Sequence, residues 1–159
     1  MPVVNYTNNH NAALAEFVAS HSSSNSELYD LCFSTFQGVL GQPGLAPTDN
    51  CFVLEHACEV KGLALVFREF AISRSVIEVM TAPELAGSLD EQELVKRAVA
   101  RAEAEGLGVA HICVLPESGR GELLEQVGFS QVRTYLDMLW VQDELPYLEL
   151  PQGYSVRSF

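Results

Sequence analysis

The chain has 159 residues, the size of one ordinary domain and long enough to bury about two thirds of the surface its unfolded form exposes. Hydrophobic residues make up 48% and charged residues 19%, which excludes an intrinsically disordered chain. Nine Lys+Arg stand against 21 Asp+Glu, a net charge of −12. A nucleic-acid backbone or an anionic membrane face is therefore repelled on average, and a cationic or amine-bearing partner is attracted.

The opening residues, Met1 to Tyr6, show no basic stretch followed by an apolar one, and no apolar run approaches 18 residues; a cytoplasmic protein with no membrane partner is expected. Residues 11–21 carry Leu14, Phe17 and Val18 at helical spacing before a serine-rich interruption at 22–26, which predicts a first helix. Ser26 caps a second predicted helix over 27–40, with Leu28, Leu31, Cys32, Thr35 and Phe36 as one stripe. Three β-like runs follow at 51–56, 62–70 and 75–81, separated by short connectors that include Lys61-Gly62 and Ser73-Arg74; they predict an antiparallel meander.

Residues 91–105 form the clearest helix. Leu94, Val95, Ala98, Val99 and Ala102 line one face, Lys96, Arg97, Arg101 and Glu103 the other, and Gly106 supplies the stop. A buried strand is expected over 109–115, a short helix over 118–127 closed by Gly128, and a long strand over 129–141 rich in β-branched and aromatic residues. Strand-helix-strand units after a meander imply a mixed sheet with right-handed crossovers. Cys32, Cys51, Cys58 and Cys113 sit singly in apolar stretches with no CxxC pair and read as reduced core residues. His10, His21 and His56 have no metal-ligand spacing with them, so no metal site is predicted.

That element order, together with Ile77-Glu78-Val79-Met80-Thr81-Ala82-Pro83-Glu84, a helix ending Ala102-Glu103-Ala104-Glu105-Gly106, and a closing Gly128-Phe129, resembles the GCN5-related N-acetyltransferase (GNAT) superfamily over residues 1–141. The resemblance implies an α/β (α+β) fold, a GNAT-like mixed, mostly antiparallel central sheet flanked by helices. It also implies acetyl-CoA as cofactor and transfer of an acetyl group to an amine-bearing small molecule or peptide. By the same resemblance, Glu78 is the catalytic candidate, as general base or amine-binding carboxylate, and Val79, Thr81 and Gly87 are the cofactor-binding candidates.

The superfamily's diphosphate loop has the pattern Gln/Arg-x-x-Gly-x-Gly/Ala, because glycines let backbone amides approach the phosphates at a helix N-terminus. Counted from Pro83, the basic position falls on Ala86 and the two glycine positions on Leu89 and Glu91, leaving Gly87 permissive. Asp90, Glu91 and Glu93 place three acids in the first turn, where they would repel a diphosphate. The segment reads instead as a self-capped helix start, with Ser88 as cap and Glu91 completing a capping box. The position of the Tyr that protonates the departing thiolate holds Leu124, and that of an Asn heading the same helix holds Glu117. The expectation is an acyltransferase protein in which this domain is degenerate at the diphosphate loop, with a non-catalytic ligand- or partner-binding module as the alternative.

Other candidates have plainer readings beside their chemical ones. His111 could act as a base or be a hydrogen-bonded core residue, and Cys113 has no adjacent basic residue to activate it. Tyr135, Met138 and Trp140 fit sheet packing as well as an aromatic box. Arg120, between Gly119 and Gly121, is the basic residue near a potential anion site. Residues 142–159 read as an extended linker, and Leu150-Pro151-Gln152-Gly153-Tyr154-Ser155-Val156-Arg157 resembles the opening strand of another GNAT domain, as in a mycothiol-synthase-like tandem arrangement. A second GNAT domain, or a homodimer joined by strand addition, is the corresponding partner expectation.

Overall fold

A computed structural model describes residues 1–22, 36–115, 118–134, 152–153 and 155. The apolar start forms β1 (Val3–Asn5), followed by α1 (Asn11–Ser22), α2 (Phe36–Leu40) and α3 (Pro47–Asn50). The meander is β2 (Cys51–His56), β3 (Glu59–Glu69) and β4 (Arg74–Thr81), after which come α4 (Leu89–Ala104), β5 (Val109–Ile112) and α5 (Gly121–Gln126). The described strands lie in the order β1-β2-β3-β4-β5. The first three pairings are antiparallel and β4 with β5 is parallel, which is the mixed, mostly antiparallel sheet flanked by helices that the sequence predicts.

Both faces of this sheet are covered, so β2 reads as a continuous apolar run, Cys51-Phe52-Val53-Leu54, with all four residues buried. Leu14, Phe17 and Val18 of α1 and Phe36 and Val39 of α2 pack against Cys51, Val53, Leu63 and Leu65 on one face. Leu94, Ala98 and Ala102 of α4 pack against Phe52, Leu54, Ala64, Val66 and Ile77 on the other. Helix α4 lies close to the sheet because Gly62 in β3 has no side chain. A Cβ there would stand 3.1 Å from Thr81 Cγ2, 3.2 Å from Leu94 Cδ2 and 3.3 Å from Leu54 Cβ.

Several sequence expectations are corrected. Lys61-Gly62 is not a connector but part of β3. The chain reverses at Ala57 and Cys58, which both take positive φ, 49° and 68°, the sense of twist a two-residue hairpin needs. The expected buried strand over 109–115 ends at Ile112 and has no buried residue, because β5 is paired with β4 alone among the described strands and only as far as Ile77. Residues 129–134 carry no regular structure; β propensity is realised only where a neighbouring strand offers a ladder. Residues 135–141 and all but 36–40 of the second predicted helix lie outside the described residues, as do Cys32, Glu117, Tyr135, Met138, Trp140 and most of 142–159.

Of the cysteines expected in the core, Cys51 is buried, and burial pushes its thiol up to about 12. Cys58 and Cys113 are exposed, one at the hairpin tip and one just beyond β5. No helix among the described residues is long and apolar enough to cross a membrane.

Leu94 is 0% exposed at the helix–sheet contact. Leu94→Ala is expected to lower the unfolding free energy by about 2–5 kcal/mol in urea titrations, the cost of removing a packed leucine and leaving a cavity.

Candidate functional site

The parallel ladder between β4 and β5 runs from Arg74–Val109 to Ile77–Ile112 and stops there. Strand β4 continues to Thr81, whereas Cys113, Val114 and Leu115 carry no regular structure. Among the described residues, Glu78 to Thr81 thus have β3 as neighbour on one edge and an opening on the other.

Alternation along β4 divides three of the four predicted site residues, Glu78, Val79 and Thr81, between the faces. Ile77 and Val79 pack on the α4 face, which Thr81 shares by spacing. Met80 packs against the α1 and α2 cluster, and Glu78 shares its side. Glu78 is half-buried; its Oε2 is buried without a hydrogen-bond partner, and burial raises its carboxyl above the ordinary value. A carboxyl in that condition can bind an ammonium group or hold a proton at a pH where a free Glu is ionised. His111 lies across from Val76. The Glu69 carboxyl at the other end of the ladder is held down first by a hydrogen bond from Arg74 and least by the charge of His111.

On the other face, Thr81 and Gly87 converge on a residue that sequence reasoning assigned to capping. Glu91 is 1% exposed. Its Oε2 accepts the Gly87 N–H at 2.6 Å, and its Oε1 accepts the Thr81 hydroxyl at 3.0 Å and Arg120 Nε at 2.6 Å. Arg120 Nη2 also donates to Thr81 Oγ1 at 3.0 Å. Ser88 caps α4 as predicted, accepting Glu91 N–H at 3.2 Å. The reciprocal half of the box is absent, because the Ser88 N–H goes to Leu85 O at 2.9 Å.

A cleft of about 110 Å³ opens immediately outside this cluster, between the start of α4 (Gly87, Ser88, Leu89, Gln92) and the α5 segment (Gly119, Glu122, Leu123, Gln126). Gln92 Nε2 donates across it to Gln126 Oε1 at 3.0 Å. Leu124, where the resemblance expects a proton-donating Tyr, is 7% exposed and packs with Val95 and Leu123. A second hollow of about 230 Å³ lies between Asn5, Asp49, Phe52 and α4. Its guanidinium groups are already engaged, Arg97 by Asn5 and Arg101 by Asn50 and Glu105.

Acetyl-CoA needs the loop amides and a basic or absent side chain around its diphosphate. Here the Gly87 amide and the Thr81 hydroxyl are held by a buried carboxylate. The residues present do not fit that group in this arrangement.

No family model and no curated protein matches this sequence. Solved structures match it at the level of fold. The aminoglycoside N-acetyltransferase AAC(6')-Iy, in complex with the bisubstrate analogue CoA-S-monomethyl-acetylneamine, is 11% identical over 87% of this chain and 96% of that one, with a TM-score of 0.63. Glucosamine-6-phosphate N-acetyltransferase from Arabidopsis thaliana is 14% identical over 87% and 97%, TM-score 0.58. A transcriptional regulator from Bacillus halodurans is 16% identical over 87% and 99%, TM-score 0.62. The chain therefore has the GNAT fold. At such identities the likeness carries architecture and not activity, as the regulator among the neighbours illustrates.

The raised Glu78 carboxyl makes a pH-dependent prediction. A group whose folded pKa lies above its unfolded value contributes no penalty below the unfolded value, and costs stability as pH rises through the folded one. Glu78→Gln is expected to melt higher than the parent near pH 8 and to lose that advantage near pH 3, below the ordinary value of a Glu carboxyl, where the group is largely protonated in both states. Thermal melts across this range check it; an advantage that does not vary with pH overturns it.

Proposed function

We propose that this chain is a GNAT-type domain of an N-acyltransferase protein whose own diphosphate loop is closed, so that it contributes scaffold, interface and an amine-binding carboxylate. The observation that carries this reading is the buried Glu91 carboxylate, which takes the loop amide and the strand hydroxyl that a diphosphate would need. Leu124 adds to it, since a leucine cannot hand a proton to a departing thiolate.

Glu78 is the residue assigned to the acceptor. It lies on the opposite face of β4 from Thr81, with an unpartnered oxygen and a carboxyl raised by burial. An amine arriving as ammonium would be oriented by a hydrogen bond to this carboxylate, which can then accept its proton, and the net charge of −12 draws cations toward the surface. Val79, Thr81 and Gly87 line the side on which an acyl donor's arm would lie, with Thr81 and Gly87 already occupied by Glu91. The same proposal places the domain at residues 1–141 of a cytoplasmic protein and pairs it with a second GNAT domain or a second copy holding the intact acetyl-CoA site. The sequence from Leu150 to Arg157, which resembles the opening strand of another GNAT domain, supports the tandem form, although Gln152 and Gly153 form a turn in the structure.

A non-catalytic module that binds an amine-bearing small molecule or peptide is the second reading, favoured by the same closed loop and by the 110 Å³ cleft beside it. An amine ligand separates the two from a chain with no amine site at all. In NMR titrations with aminosugars and polyamines, Glu78→Gln is expected to weaken binding by roughly tenfold, the worth of one charge-assisted hydrogen bond.

Calorimetry with acetyl-CoA tests the closed loop directly. No saturable heat is expected up to about 1 mM ligand. A micromolar dissociation constant overturns the reading.

A further inference from the structure

We propose that Glu91 is an internal counter-anion that excludes phosphate ligands from this domain, and that Arg120 is the cation a phosphate takes over when Glu91 is removed. The inference rests on the closed-loop reading and adds to it the residue that would do the binding. Three donors from three separate segments meet on one carboxylate: Thr81 at the end of β4, Gly87 in the loop, and Arg120 ahead of α5. An ordinary capping glutamate would serve the cap residue's own N–H, but Ser88 N–H is spent on Leu85 O. The Glu91 side chain is turned inward past its own helix end, and at 1% exposure it is matched to donors rather than to water.

The donors are arranged as they would be for an external anion. Gly87 holds φ +75°, yet a Cβ there would meet nothing within 4 Å. Glycine is required by the left-handed backbone that aims its amide, and not by lack of room. Arg120 is held by Glu91 and by Thr81, and Gly119 beside it has φ +69°. The cleft touches Gly87 and Gly119, the loop residues that flank this cluster.

A tethered carboxylate competes at a high effective concentration, so it holds the donors against a free diphosphate. Without it, an amide, a hydroxyl and an uncompensated guanidinium are left together beside the cleft, and a planar fork of that kind suits phosphate oxygens.

The test uses the full chain with inorganic pyrophosphate as the probe, followed by calorimetry and by the shift in melting temperature. The parent is expected to show no saturable binding. Glu91→Ala is expected to bind with a gain of roughly tenfold or more, the value of one newly available charge-assisted contact, and the double variant E91A/R120A is expected to lose that gain. Should Glu91→Ala not fold, Glu91→Ser carries the same test, since it also removes the carboxylate and frees the Gly87 amide while keeping a small polar side chain. A folded Glu91 variant that binds pyrophosphate no better than the parent overturns the proposal, as does a gain that survives removal of Arg120. Tight binding of acetyl-CoA by the parent would instead overturn the closed-loop reading, so the two failures are read in different arms.

Discussion

A carboxylate removed from water must find donors, or the fold that buries it is destabilised by several kcal/mol. Glu91 finds them at the point where β4, the following loop, α4 and the α5 segment meet. The interaction is not local to its helix. It ties the end of the central strand to the start of the helix that covers it, and it draws α5 against both through Arg120. Leu123 and Leu124 then complete the contact by packing on Val95. The open end of the sheet is thereby closed by charge on one side and by apolar packing beneath it.

Much of the fold was legible because it follows from periodicity. Leu94, Val95, Ala98 and Ala102 announce the buried face of α4, and Cys51-Phe52-Val53-Leu54 announces a strand, which the structure covers on both sides. The failures have physical causes that a single sequence does not display. The hairpin turns on Ala57 and Cys58, two residues with side chains in a conformation usually signalled by glycine, while the nearby Gly62 is there to let α4 approach. The length of β5 is decided by where its neighbour departs, a non-local fact.

The candidate site was legible in part. That Leu89 and Glu91 stand where the resemblance expects glycines, with Asp90 and Glu93 beside them, can be counted along the chain. What could not be counted is direction: a glutamate at the third position of a helix can reach back to its cap or inward to the core, and both satisfy the same spacing. Arg120 stood out as a lone cation near a possible anion, but 29 residues separate it from its partner. Nor could burial of the Glu78 oxygen be read from a strand in which polar and apolar residues alternate.

The division of β4 between two faces carries a constraint of its own. Glu78 and Met80 look one way and Ile77, Val79 and Thr81 the other, because side chains alternate with a period of two. A single residue gained or lost between Ile77 and Thr81 would exchange the two sets, presenting the carboxylate to α4 and the threonine to α1. Drift in this strand is consequently quantised: substitutions can erode either surface independently, but length can change without scrambling both only in pairs. A lineage can thus change the residues of one face while those of the other stay in place.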